Sequence, residues 1–155
     1  MNELNRISWS IDFMELYDRF ESRGRGLIAS LWVALGSAAG GMARYAFSGF
    51  LARRIGEIFP WGTLLVNISG GFVIGLAAAA VDPGGPLPGD PTVRHLVMIG
   101  LCGGYTTFSS FSLQTLALAR EGEWTHALAN IAASVVLCLI AAWAGFALGA
   151  LIYGG

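Results

Sequence analysis

The chain has 155 residues, of which 55% are apolar and only 12% charged, with a formal net charge of -1 and 22 glycines. That length suits one domain, but this composition does not suit a soluble one. The charge argues against a nucleic-acid partner. Cys102 and Cys138 both fall inside apolar segments and read as small hydrophobes, not as a disulfide framework or a zinc site.

Residues 1–26 differ from all that follows. They hold five of the ten acids and four of the nine basic residues, all of which are arginine, and no uninterrupted apolar run. A signal peptide needs a basic start and an apolar core, and neither is present. Trp9, Phe13, Leu16, Tyr17 and Phe20 could share one face of a short helix, but its acid-rich opposite face suits anionic lipid poorly. The segment reads as a peripheral extension ahead of a membrane domain over residues 27–155.

Four segments in that domain exceed the roughly 20 residues needed to cross a bilayer. They run from about Leu27 to Leu51, Trp61 to Val81, His95 to Ala119 and Trp124 to Tyr153. The connections are short, and the middle one carries Pro83, Pro86, Pro88 and Pro91, so it is a loop. Glycines four apart occur once per span, at Gly36/Gly40, Gly71/Gly75, Gly100/Gly104 and Gly145/Gly149. Such spacing lets helix backbones approach closely and predicts a tight, small bundle. Arg19, Arg23, Arg25 and Arg94 flank the spans on one side, and Arg53, Arg54 and Arg120 on the other. The bias that normally fixes topology is nearly cancelled, as expected of a chain that inserts both ways and pairs with its own inverted copy.

The third span is the unusual one. Its centre reads Gly103-Gly-Tyr-Thr-Thr-Phe-Ser-Ser-Phe-Ser112, two glycines and a run of hydroxyls where Leu, Ile and Val would be ordinary. Irregular backbone at this depth persists only when buried in protein or facing a wet cavity. The glycines ease departure from helical geometry, and Thr106, Thr107, Ser109 and Ser110 can bond the carbonyls set free. A helix broken at mid-membrane is a common setting for an ion site. Phe108 and Phe111, three apart, are expected on one helix face.

Other polar residues in the spans are few. Asn67, six residues into the second span, reads either as interhelical glue or as an anion ligand offering two N–H groups without a charge. Asn130, Ser134 and Cys138 form a stripe at four-residue intervals on the fourth span. Arg44 lies about five residues inside the first, where its stem can snorkel outward, and suits a vestibule or structural role. His95 and His126 fall near span ends and read as interfacial. No acid falls within a span. A proton-coupled exporter of cationic drugs would need one, so the small multidrug class of four-helix, dual-topology transporters lacks support. A non-transporting scaffold leaves the polar centre of span three without a purpose.

Three stretches, Gly40-Gly-Met-Ala-Arg-Tyr45, Gly62-Thr-Leu-Leu-Val-Asn67 and Gly100-Leu-Cys-Gly-Gly-Tyr-Thr-Thr-Phe-Ser-Ser-Phe-Ser112, resemble the signatures of the Fluc (CrcB-like) fluoride channels. The resemblance covers the chain from about residue 27 onward. It implies an all-α integral membrane protein of four helices, the third broken at its centre, assembled as an antiparallel dual-topology homodimer in the cell inner membrane. Two pores would export fluoride, and a structural sodium ion at the dimer centre would be held by the backbone carbonyls of Gly103 and Thr106 from both subunits. Asn67 matches the family's pore asparagine, Phe108 and Phe111 its pore-facing rings, and Ser134 a polar position on the fourth helix. Gln114 and Asn130 depart from it, standing where a glutamate and a tyrosine are frequent. Fluoride is strongly hydrated and needs replacement donors, which Asn67 and hydroxyls such as those of Thr107 and Ser110 supply. Ring edges of Phe108 and Phe111 add the positive end of the aromatic quadrupole. No residue is placed for bond-making chemistry, so the expected class is a channel and not an enzyme.

Overall fold

The computed structural model describes residues 26–55 and 59–153, so the expected helical face of the N-terminal extension lies outside the described residues. All regular structure among the described residues is helical. Helix α1 spans Gly26–Ile55, α2 spans Trp61–Val81 and α5 spans Trp124–Tyr153. Between α2 and α5 the third span is in two pieces, α3 over residues 91–105 and α4 over Phe108–Arg120. Four stretches of 30, 21, 30 and 30 residues are long and apolar enough to cross a membrane. Even the shortest, at about 1.5 Å per residue, matches a hydrocarbon layer of about 30 Å. The chain is a multi-pass membrane protein.

The helix ends follow from local chemistry. Asp90 caps α3, its carboxylate accepting from the N–H groups of Thr92 at 2.7 Å and Val93 at 3.2 Å, with Pro91 at the first helical position. The proline-rich loop folds back on α2, where Leu87 and Gly89 donate to the carbonyls of Ala80 and Val81. At the far end of α4, Gly122 takes φ +84° while Glu123 donates to the Leu118 carbonyl and Gly122 to that of Ala119. This pattern satisfies the last carbonyls and turns the chain sharply into α5.

The four glycine pairs resolve into two helix crossings. Gly36 and Gly40 of α1 meet α3, where added methyl groups would fall on the carbonyl oxygens of Leu96 and Leu101. From the other side, a Cβ on Gly104 would lie 2.5 Å from the Ser37 carbonyl oxygen, and one on Gly100 would lie 2.9 Å from the Cα of Gly36. The second crossing joins α2 and α5. Cβ atoms on Gly75 and Gly145 would fall on the carbonyl oxygens of Ala142 and Phe72, and one on Gly149 would lie 2.5 Å from the Cβ of Ala79. Inside a bilayer lipid is as apolar as leucine, so this close backbone approach supplies the association.

Two features depart from the sequence expectation. Most of α3, Arg94–Cys102, is π-helical, a wider winding for which no periodic signal exists in the sequence. His95, expected at the interface, is buried, with Nδ1 against the carbonyl of Pro91 one turn earlier. His126 keeps a more peripheral place beside Glu123, 3.0 Å from its carboxylate.

Candidate functional site

The third span opens at two residues. Thr106 (φ -78°, ψ 158°) and Thr107 (φ -151°, ψ 114°) are both extended, and helical geometry resumes at Phe108. The side chain of Thr107 restarts the helix as its N-cap, accepting from the Ser110 N–H at 3.1 Å. Its hydroxyl also lies 3.1 Å from that of Ser110 and 3.2 Å from that of Ser109. On the other side of the break, the N–H and hydroxyl of Thr106 both donate to the carbonyl of Cys102, at 2.9 and 2.8 Å. The Thr107 hydroxyl thus replaces a helical hydrogen bond that the break removes, while that of Thr106 doubles one that the helix already makes.

Asn67 reaches the same point from α2. Its Oδ1 accepts from the Thr107 N–H at 2.7 Å, and its Nδ2 donates to the Thr107 carbonyl at 3.1 Å. In an unbroken helix that N–H would bond the carbonyl of Gly103, four residues earlier. The interhelical contact foreseen for Asn67 is therefore present, made to backbone and not to another side chain. One N–H of its amide lies outside this pair. Two residues further along α2, the Ser69 hydroxyl lies 3.0 Å from that of Tyr105.

A cleft of about 220 Å³ adjoins the break, lined by Arg44, Tyr45 and Ser48 of α1, Thr63 and Val66 of α2, and Thr107 and Ser110. It brings three of the candidate residues, Arg44, Thr107 and Ser110, to one cleft. Because α1 continues to Ile55, Arg44 lies deeper than expected, and it is half-buried. Asn130, Ser134 and Phe111 belong to a second cluster between α4 and α5. Asn130, 2% exposed, donates to the Thr115 hydroxyl at 2.8 Å, which in turn donates to the Phe111 carbonyl at 2.8 Å. Ser134 stands 3.5 Å from the Asn130 amide oxygen. Gln114 buries its amide oxygen without a hydrogen-bond partner among the described residues. The two rings expected on one face do touch, with centroids 5.2 Å apart and planes tilted by 50°, but they differ in burial: Phe111 is 9% exposed and Phe108 77%.

Thr115, Ser69 and Tyr105 were not singled out from the sequence. Thr115 is four residues beyond Phe111 and could have been found by that spacing, whereas the Ser69–Tyr105 pair spans 36 residues and carries no local signal. Among the described residues no group of three or more His, Cys, Asp or Glu side chains could hold a metal ion. The oxygens the break offers a cation are those of backbone, hydroxyl and amide groups. The break frees those of the backbone: the N–H that would occupy the Gly103 carbonyl in a helix is given to Asn67, and the extended Thr106 takes its own carbonyl off the helical path. Carbonyl oxygens of this kind fit a hard cation.

A multi-pass helical bundle with one span opened at mid-depth around uncharged donors defines a membrane protein built for a small polar or ionic passenger. Residues 31–146 match the model of the family described as CrcB-like protein, Camphor Resistance (CrcB), and the chain belongs to this family. Among its relatives, the protein of Opitutus terrae named Fluoride-specific ion channel FluC is 53% identical over 115 residues, 74% of this chain and 87% of the relative. The FluC proteins of Methylocella silvestris and Rhodospirillum rubrum are 55% and 54% identical, over 74% and 81% of this chain and 88% and 97% of their own lengths.

Proposed function

We propose that the chain is the subunit of a fluoride-selective channel that lets fluoride leave the cell down its gradient and so relieves fluoride toxicity. The observation that carries this reading is the opened third span, furnished with uncharged donors in a chain whose spans hold no acid. The relatives' name, Fluoride-specific ion channel, agrees with it. Fluoride would exchange its hydration shell for the free N–H of Asn67, the hydroxyls of Thr107, Ser110 and Ser134, the amide of Asn130 and the ring edges of Phe108 and Phe111. Arg44 would raise the local anion concentration at the cleft. None of these steps makes or breaks a covalent bond, so the protein acts as a channel and not as an enzyme.

Two features support the antiparallel homodimer. Phe108 is 77% exposed, and Gly103 has open space where a side chain would stand, so the polar centre of the span is incomplete within one chain. The flanking arginines are also nearly balanced. Two inverted copies would bring the carbonyls of Gly103 and Thr106 together at the two-fold axis, where those four dipoles would hold a sodium ion. That ion would supply a fixed positive charge lowering the barrier for an anion nearby.

Proteoliposomes loaded with fluoride or with chloride test the reading. Fluoride should leave rapidly through the reconstituted protein while chloride stays behind by a wide margin. Equal efflux of the two halides would refute it.

A further inference from the structure

We propose that α2 carries a two-point lock, Asn67 on the backbone N–H and carbonyl of Thr107 and Ser69 on the hydroxyl of Tyr105, which holds the third span open within the single chain. The inference goes beyond the identity of the passenger ion and stands whichever ion crosses.

Three adjacent features of α2 converge on the break. The first is the paired hydrogen bond of Asn67, which takes up both the N–H and the carbonyl of Thr107. Only the amide oxygen can accept from that N–H and only the NH₂ can donate to that carbonyl, so the pair also fixes which way the amide faces. The second is Ser69. Its hydroxyl lies 2.8 Å from the carbonyl of Leu65 in its own helix, which has only lone pairs to offer, so the serine donates there and accepts from Tyr105. The third is Gly70, which forms the seat. A Cβ there would run into the methyl group of Thr106 and lie 3.1 Å from Cδ1 of the Tyr105 ring.

Together these contacts hold the residues on either side of the opening, Tyr105 before it and Thr107 within it, against one turn of a neighbouring helix. Without Asn67, the Thr107 N–H has a natural alternative in the Gly103 carbonyl, and the span would wind shut through the break. Asn67 and Tyr105 are thus positioning residues for the carbonyls of Gly103 and Thr106 and for the hydroxyl of Thr107. Every contact in this lock lies within one chain.

The test reads the backbone directly, through the carbon chemical shifts of Thr106 and Thr107 in isotope-labelled protein in lipid nanodiscs. Wild-type protein should give extended shifts at both residues. Asn67→Ala should move Thr107 into the helical range while α5 residues beyond Ser134 keep theirs. Extended shifts at Thr107 in folded Asn67→Ala would overturn the proposal. Should that variant fail to fold, Ser69→Ala and Tyr105→Phe each remove only the second point. Both should shift Thr106 alike, the double variant should do no more than either, and Ser69→Thr should restore the wild-type spectrum. Additive shifts, or none, would overturn the second point of the lock. Because the readout involves no flux, a failed lock and a failed fluoride assignment are told apart.

Discussion

The two halves of the third span belong to one crossing of the membrane yet are held by different physics. Before the break, α3 lies against α1 backbone to backbone, with Gly36, Gly40, Gly100 and Gly104 leaving no room for a methyl group. After it, α4 is held by side chains: Phe111 and Leu118 are buried, and Asn130 bonds Thr115. Its other surface, with Phe108 77%, Leu113 68% and Leu116 55% exposed, is uncovered in the single chain. One half is thus fixed by contacts that cannot yield, and the other by contacts that can be rearranged and by a surface awaiting cover. The proposed channel would use both, a rigid reference and a wall left to meet the ion and a second copy.

The sharpest way to break this contrast is to load the glycine crossing. Gly40→Leu would set its Cβ against the Leu101 carbonyl oxygen and 2.8 Å from the Tyr105 nitrogen, both backbone atoms. Overpacking against yielding side chains costs about 1–3 kcal/mol, and a backbone that cannot move should exceed that range. We expect no folded protein on size-exclusion chromatography in detergent. Gly49→Ala is the control, because a Cβ there meets nothing within 4 Å and the residue does not line the cleft. Folded, active Gly40→Leu would show that α3 is not fixed in the way its geometry indicates.

How far this contrast could be read from the sequence depends on the range of the interaction. The spans were legible because apolar length is a local property, and their ends fell within a few residues of those observed. The break was legible because Gly103, Gly104 and the hydroxyls after them are poor choices for buried helix. The glycine pairs were legible as close-packing sites, but not which crossing each served. The partner of Asn67 was not legible at all. It is the backbone of Thr107, 40 residues away, and backbone atoms leave no mark in sequence. Spacing placed Phe108 and Phe111 on one face, and their rings do touch, yet a three-residue step turns a helix by less than a full turn. That difference suffices here to bury one ring and expose the other.

The two rings give the next test, of intermediate size. Truncating a phenylalanine in a packed core costs about 3–5 kcal/mol in water-soluble proteins. In a bilayer much of the transfer share is absent, so Phe111→Ala should cost about 2 kcal/mol, chiefly from lost packing. It should lower the melting temperature in detergent equally at all protein concentrations, since the ring packs within its own chain. Phe108→Ala should instead act through the partner copy of the proposed dimer, so its effect should grow as the protein is diluted. The reverse pattern would mean that α4 presents its other face to the partner.

The smallest expected effect lies within the break itself, where two neighbouring threonines do different work. Thr107 uses its side chain: Oγ1 caps α4 through the Ser110 N–H, and Thr107→Val should cost about 1 kcal/mol for the lost cap. Thr106 is proposed to serve through its carbonyl, and its hydroxyl only adds a second donor to the Cys102 carbonyl, which the Thr106 N–H already occupies. Thr106→Ser retains that hydroxyl and the backbone. It removes only the methyl group seated on Gly70, a change of at most about 0.8 kcal/mol, the value of one buried carbon group in water. Flux should stay within about fourfold of wild type, since 1.4 kcal/mol would be needed for a factor of ten, and any sodium dependence of the proposed dimer should not move. A large loss of flux with an unchanged melting temperature would instead place the Thr106 side chain in the ion's path and take the ligand role away from its carbonyl.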